Sequence, residues 1–305
     1  MKENDLKELR LEEIAEKIES MEIRGAAKIG RAAAWGLKNS VSEYKGKDIK
    51  ELKKLIKEGK ERLKSTRPTA VSLHNAIRYV LKGSSEDVEE RKKMIVKRAN
   101  EFIDKSINAG EKIAEYGGRR ISDGDVILTH CNSSMALGCI KHAWEEGKDI
   151  KVIATESRPK RQGYITVRQL SENGIPVTLI VDSAVRYKMT DVDKVYVGAD
   201  TIASNGAVIN KIGTSQVALC ANEARVPVTV CAETYKFSSE TAFGYHIEIE
   251  ERDSNEIVNP DDFPGVDISN PVFDATPSKY VDSIITEEGV ISPSYAYKII
   301  KEMEE

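Results

Sequence analysis

Two short apolar runs end on side chains that can move protons: DVILTHCNSS reaches the thiol of Cys131, and DKVYVGADTI reaches the carboxylate of Asp200. If both runs are parallel strands of one open α/β sheet, their carboxyl ends lie along one edge, where a ligand crevice forms. Around one small molecule, that pair would serve as acid and base. Cys131 stands where a strand gives way to a helix, so the helix N-terminus would lower its pKa and favour thiolate. The plain alternative is a buried, inert thiol. Asp200 closes VYVGAD, an apolar run and a glycine followed by a carboxylate that needs a partner if buried. Its plain alternative is a helix-capping or turn aspartate. Asp182 closes VTLIVDSAV in the same way and would cap the helix that follows.

Basic residues gather at the ends of elements. Arg24 and Gly25 precede an alanine-rich helix in RGAAKIG, and Arg67 with Pro68 separates two helices in STRPTAV. Arg158 directly follows a strand in TESRPKRQG, Lys211 and a glycine precede a helix in NKIGT, and Lys236 follows a strand in CAETYKF. Each cation alone reads as solvated. Together, three of them after strands of one sheet, they mark a crevice for a small phosphorylated ligand. That chemistry requires neither a metal nor a redox cofactor.

These residues need elements to position them. The N-terminal third reads as all helical: a surface helix in DLKELRLEEIAEKIES, the alanine-rich helix, one over 48–64, another starting at Thr69, and a long one over 87–116. In that long helix Val96, Ala99, Ile103, Ile107 and Ile113 recur near helical spacing, and YGGRR stops it. The boundary is expected at 117–123, giving a helical domain 1–120 and a Rossmann-like catalytic domain 121–305. Strands are expected at 126–129, 151–155, 176–181, 194–197 and 227–231, with helices over 134–146, 164–172 and 215–222. Alternation of this kind implies an α/β fold with a mostly parallel sheet covered on both faces. At least one more late strand, in VFDATPSKYVDSIIT, and a closing helix in ISPSYAYKIIKEM complete it. No GxGxxG follows the first strand, where the turn is HCNSSMALG, so a dinucleotide site is disfavoured.

With 305 residues, 40% hydrophobic, 31% charged and a formal net charge of −4, the chain reads as globular. It offers no overall electrostatic case for nucleic acid or acidic lipid. No apolar span approaches the length that crosses a bilayer and no signal-peptide core follows the first residues, so a cytoplasmic protein is expected. Cys131, Cys139, Cys220 and Cys231 form no CxxC and only four histidines accompany them, which disfavours a metal site or disulfide scaffold.

THCNSSMALG, ESRPKRQG, VGADTI, NKIGT and NPVFDATP occur in the order seen in one family. The chain resembles the methylthioribose-1-phosphate isomerases, the ribose-1,5-bisphosphate isomerases and the alpha, beta and delta subunits of translation initiation factor 2B, from RGAAKIG to the final helix. Within that family the archaeal ribose-1,5-bisphosphate isomerases match best. The resemblance implies a catalytic pair, Cys131 and Asp200. It also implies sugar-phosphate binding by Arg24, Gly25, Ala26, Arg67, Arg158, Asn210, Lys211 and Lys236. It implies aldose–ketose isomerisation of ribose 1,5-bisphosphate in AMP and nucleoside salvage, a homo-oligomer (a dimer, or a hexamer built as a trimer of dimers) and activation by AMP. The alternatives within the resemblance are isomerisation of methylthioribose 1-phosphate and a non-enzymatic regulatory subunit.

Overall fold

The computed structural model describes residues 3–243 and 249–304. The chain divides into two compact units, Met1–Asn108 and Ala109–Glu305.

The first unit is helical. It holds α1 (Leu11–Glu19), α2 (Ala26–Glu43), α3 (Ile49–Thr66), α4 (Val71–Leu81) and most of α5 (Val88–Arg119). α2 is the centre of the bundle, in contact with α1, α3 and α4. Its consecutive Ala32, Ala33 and Ala34 are all buried, so more than one face is covered, and small side chains let neighbouring helices approach. Asp48 starts α3 by accepting a hydrogen bond from the Lys50 amide at 2.8 Å. Arg62 ties α3 to α1 through Glu12 and Glu19, at 2.7 and 2.6 Å. Along α5 the buried stripe is Ile95, Ala99, Phe102, Ile103, Ala109 and Ile113, whereas Ile107, expected inside, is 43% exposed. The expected division at residue 120 follows the end of α5; contacts group its last turns, from Ala109, with the second unit.

The second unit is α/β. In chain order it contains β1 (Val126–Thr129), α6 (Ser134–Glu145), β2 (Lys151–Thr155), α7 (Gly163–Glu172), β3 (Val177–Ile180), α8 (Val185–Lys188) and β4 (Lys194–Gly198). Then come β5 (Thr201–Ile202), β6 (Val208–Lys211), α9 (Thr214–Ala224), β7 (Val228–Cys231), β8 (Phe273–Thr276), β9 (Ser283–Thr286), β10 (Gly289–Ile291) and α10 (Ala296–Glu304). Seven strands form the main sheet in the order β10-β9-β7-β4-β1-β2-β3. Every pair is parallel except β9 with β10. Alternate residues face two separate cores. Leu128, Val195, Val197, Val228 and Val230 pack with Val217 of α9 and Ile299 of α10, while Ile127, Val152 and Tyr196 pack with Ile140 of α6 and Leu170 of α7.

β1 and β2 span the residues expected for them, and β3, β4 and β7 lie within a residue of theirs at each end. A second, three-stranded antiparallel sheet, β5-β6-β8, was not anticipated. β5 has two residues, and β6 pairs with β8 through Lys211 and Phe273, so no local pattern signals either strand. Near the C-terminus, where at least one more strand and a closing helix were expected, β8, β9, β10 and α10 occur.

Candidate active site

The main sheet reverses direction between β1 and β4. From β1 the chain adds β2 and β3 on one side; from β4 it adds β7 and β9 on the other. Leu128 and Val195 are paired across this line. Ligands of open α/β sheets bind outside the strand ends at such a switch point. Cys131 follows β1 and Asp200 follows β4, so both stand at its rim. Gly198 makes the approach possible, because a Cβ there would overlap the Ser133 side chain. Ser133 in turn caps α6, accepting from the Ala136 amide at 3.3 Å.

Cys131 is half-buried and has a left-handed backbone, φ 68°. A non-glycine residue holds that conformation only where its surroundings dictate it. Here its amide donates to Ser157 Oγ at 2.7 Å, and its carbonyl accepts from Thr166 Oγ1 at 2.7 Å. Asn132 is held by Thr166 Oγ1 at 3.0 Å. Burial pushes the Cys131 thiol up to about 11, with the Asp200 and Asp182 carboxylates adding to the effect and the Lys211 ammonium and Asn132 amide opposing it. The expectation of a thiolate favoured by a helix N-terminus is therefore corrected. α6 begins three residues later, and desolvation outweighs what its end supplies.

Asp200 lies at the mouth of the β5–β6 hairpin, where its amide donates to the Ile209 carbonyl at 3.0 Å. That pairing sets it beside Asn210 and Lys211. Asn210 is buried and donates to Thr214 Oγ1 at 3.0 Å. The Lys211 ammonium lies 5.2 Å from the centre of the Phe273 ring. Among the described residues it forms no ion pair. The helix start after NKIGT, read as a place for a phosphate, is filled by the chain's own Asp274, which accepts from the Gly213 and Ser215 amides at 2.7 and 3.1 Å. Burial raises that carboxyl to about 6 against the opposing pull of these amides.

Asp182 does not cap the helix after it. Its two oxygens accept from the Ser157 and Arg158 amides at 2.8 and 2.7 Å, fixing the turn after β2. The Arg158 guanidinium donates to the Ile257 carbonyl at 3.2 Å and pairs with no carboxylate among the described residues. Lys236 differs, since it is buried and paired with Glu233 at 2.8 Å. Glu233 also accepts from the Tyr235 hydroxyl at 2.8 Å. The segment carrying Lys236 runs beside β5, with the Ser238 amide donating to the Ile202 carbonyl at 2.9 Å. Within this unit the Cys131 thiol feels the charges of Asp200 and Lys211, Asn210 precedes Lys211 on β6, Arg158 follows β2 with its guanidinium on the Ile257 carbonyl, and Lys236 has its charge already balanced.

Arg24, Gly25, Ala26 and Arg67 belong to the N-terminal unit. Gly25 is the residue before α2, with φ 89°, and Arg24 and Gly25 are exposed. Arg67 ends α3, half-buried, with a guanidinium nitrogen 3.2 Å from Met21 Sδ. Four residues that shape the site went unread in the sequence: His130, Ser157, Thr166 and Asp274. His130 was visible beside Cys131, but its role depends on partners 25 and 82 residues away. Among the described residues no three His, Cys, Asp or Glu side chains come together as a metal site, and no helix is long and apolar enough to cross a membrane.

Comparison with known proteins bears on this geometry. The model of the Initiation factor 2 subunit family matches residues 22–293. A ribose 1,5-bisphosphate isomerase of Methanocaldococcus jannaschii is 53% identical over 292 residues, 95% of this chain and 94% of its own. The crystal structure of a Pyrococcus horikoshii protein described as translation initiation factor eIF-2B superposes with a TM-score of 0.80 at 33% identity, covering 93% of this chain and 97% of the other. A 5-methylthioribose 1-phosphate isomerase of the same organism gives 0.77 at 34% identity, covering 97% and 87%.

Proposed function

The chain belongs to the Initiation factor 2 subunit family, and from that membership and its site we propose that it isomerises ribose 1,5-bisphosphate to ribulose 1,5-bisphosphate. The observation that carries this reading is the placement of Cys131 and Asp200 after β1 and β4, the two strands that flank the switch point.

The C1 phosphate of the aldose blocks the ring opening open to a free sugar, so the bond from C1 to the ring oxygen must be broken on the enzyme. Cys131 as thiolate takes the C2 proton while Asp200 as acid protonates the departing ring oxygen, leaving an enol phosphate between C1 and C2. Asp200 then removes the C2 hydroxyl proton as Cys131 returns its proton to C1, which gives the ketone and restores both groups. The pair holds one exchangeable proton throughout. Burial favours its residence on sulfur, and the Lys211 ammonium supports the thiolate that the reaction uses. Such acid–base placement is worth about 10² to 10⁴ in rate. Lys211 and Arg158, neither balanced by a carboxylate among the described residues, suit the two phosphates. Asn210 and Lys236 complete the C-terminal unit's contribution. Arg24, Gly25, Ala26 and Arg67 are the N-terminal unit's candidates. The reading extends to a cytoplasmic homo-oligomer, a dimer or a trimer of dimers, activated by AMP and feeding nucleoside salvage.

The test is incubation of purified protein with ribose 1,5-bisphosphate and with methylthioribose 1-phosphate, followed by phosphorus NMR. Conversion of the bisphosphate, abolished in Cys131→Ser and in Asp200→Asn with melting temperatures preserved, is the expected result. Turnover of the thiomethyl sugar alone, or normal turnover by either variant, overturns the assignment.

A further inference from the structure

Behind Cys131 a set of hydrogen bonds runs in a single direction to the loop that carries Lys211. His130 Nε2 lies 2.8 Å from the Ile212 carbonyl, and Nδ1 lies 2.6 Å from Thr155 Oγ1. A carbonyl oxygen only accepts, so Nε2 carries the proton. Burial holds this imidazole below its usual range, Lys211 adds to that, and the Ile212 carbonyl and the Asp182 carboxylate, 4.0 Å from Nδ1, oppose it. With the ring neutral, Nδ1 accepts from the Thr155 hydroxyl. Thr155 Oγ1 is then left to accept from Ser157 Oγ at 3.2 Å, and Ser157 Oγ accepts from the Cys131 amide at 2.7 Å. Each hydroxyl donates once and accepts once along the chain.

Three observations separate this chain from ordinary core packing. His130, Thr155 and Ser157 are 1%, 0% and 0% exposed, so none has water as a substitute partner. Cys131 and Ser157, joined by one of the bonds, both hold left-handed backbones, φ 68° and 60°. Gly213, φ 100°, leaves room for the ring, since a Cβ there would come within 2.9 Å of His130 Cε1.

We propose that His130, Thr155 and Ser157 are positioning residues, a buried tie that fixes the register between the Cys131 thiol at the end of β1 and the Lys211 ammonium at the end of β6. Its kinetic consequence rests on the isomerase reading; its structural consequence for Cys131 does not. Through the tie, a change remote from the reacting atoms shifts the thiol against the charge that supports its ionised form.

Thr155 gives the cleanest test, because Thr155→Val keeps the shape and removes the middle link, while Thr155→Ser keeps the link. With ribose 1,5-bisphosphate as substrate, Thr155→Val should lower kcat on the order of 10- to 100-fold, leave KM nearly unchanged, and be largely rescued by Thr155→Ser. Without substrate, iodoacetamide should label Cys131 more slowly in Thr155→Val than in wild type or Thr155→Ser, because the thiol loses its register with the Lys211 charge that supports the thiolate, while the buried Cys139 and Cys231 stay unlabelled. A shift in KM with kcat unchanged, or labelling of Cys131 at or above the wild-type rate in a folded Thr155→Val variant, overturns the proposal. If the wild-type protein turns over no bisphosphate, the functional reading fails while the labelling comparison still decides the tie.

Discussion

Replacing Asp200 by Asn should make Cys131 more reactive even as it removes turnover, and replacing Lys211 by Met should do the reverse to the thiol. The thiol stands at about 11 against an ordinary value of 9.0. At pH 8 that leaves about 0.1% thiolate instead of roughly 10%, a ceiling of about a hundredfold on what any substitution can restore. Burial is the largest cause and neither substitution abolishes it. A unit charge about 10 Å away in an effective dielectric of about 20 is worth roughly 1.7 kcal/mol, near one decade in ionisation, and solvent screening trims this. Asp200→Asn should therefore raise, and Lys211→Met lower, the rate of Cys131 alkylation at pH 8 by on the order of 3- to 10-fold. The assay is timed iodoacetamide labelling between pH 7 and 10, read by mass spectrometry on the peptide that holds Cys131. Cys139 and Cys231 are fully buried and report any general opening. Slower labelling in Asp200→Asn, faster labelling in Lys211→Met, or no change in both would refute this account of the thiol.

Two further outcomes concern stability. Asp274 titrates near 6 in the folded protein against an ordinary 3.8, so the native state holds its proton more tightly than the unfolded chain does. This contribution to stability is complete below about pH 4 and is lost as pH rises through about 6. In urea melts the advantage of wild type over Asp274→Asn should shrink by about 1–2 kcal/mol between pH 4 and 7, after allowance for partial solvent exposure; a growing advantage would contradict it. Glu233→Gln leaves the Lys236 ammonium buried without its counter-charge, which should cost about 3–5 kcal/mol in the same melts. A loss below about 1 kcal/mol would mean that water reaches the pair.

Much of the architecture was legible locally. Val126 to Thr129 and Lys151 to Thr155 are compact apolar or β-branched runs, each closed by a polar turn, and the helices between them announce parallel pairing. Cys131 and Asp200 were legible as strand-end residues for the same reason. What local pattern could not carry was anything settled by distant partners. Asp274 occupies the start of α9 from 61 residues away, so NKIGT read by itself looks like an open anion cradle. Asp182 looks like the cap of its own helix, yet its carboxylate holds a turn 24 and 25 residues earlier. Lys236 reads as a free cation until Glu233, three residues before it, is found folded back onto it. The protonation of Cys131 failed for a different reason: the sequence shows the helix that follows but not the dry surroundings that outweigh it.

The antiparallel ladder from β6 to β8 has a consequence for the order in which the molecule is made. β6 ends at Lys211, and its outer partner begins at Phe273, so a chain still being synthesised carries Lys211 well before the strand that pairs with it exists. The start of α9 likewise waits for Asp274. β9, which extends the parallel sheet beside β7, arrives later still. On a ribosome, β1 to β4 can pair with one another early, whereas the lysine loop is completed only by a strand that follows β7 in the chain. Long-range strand pairing of this kind is slow to close. The loop that carries Lys211 is thereby completed only after β8 has been made.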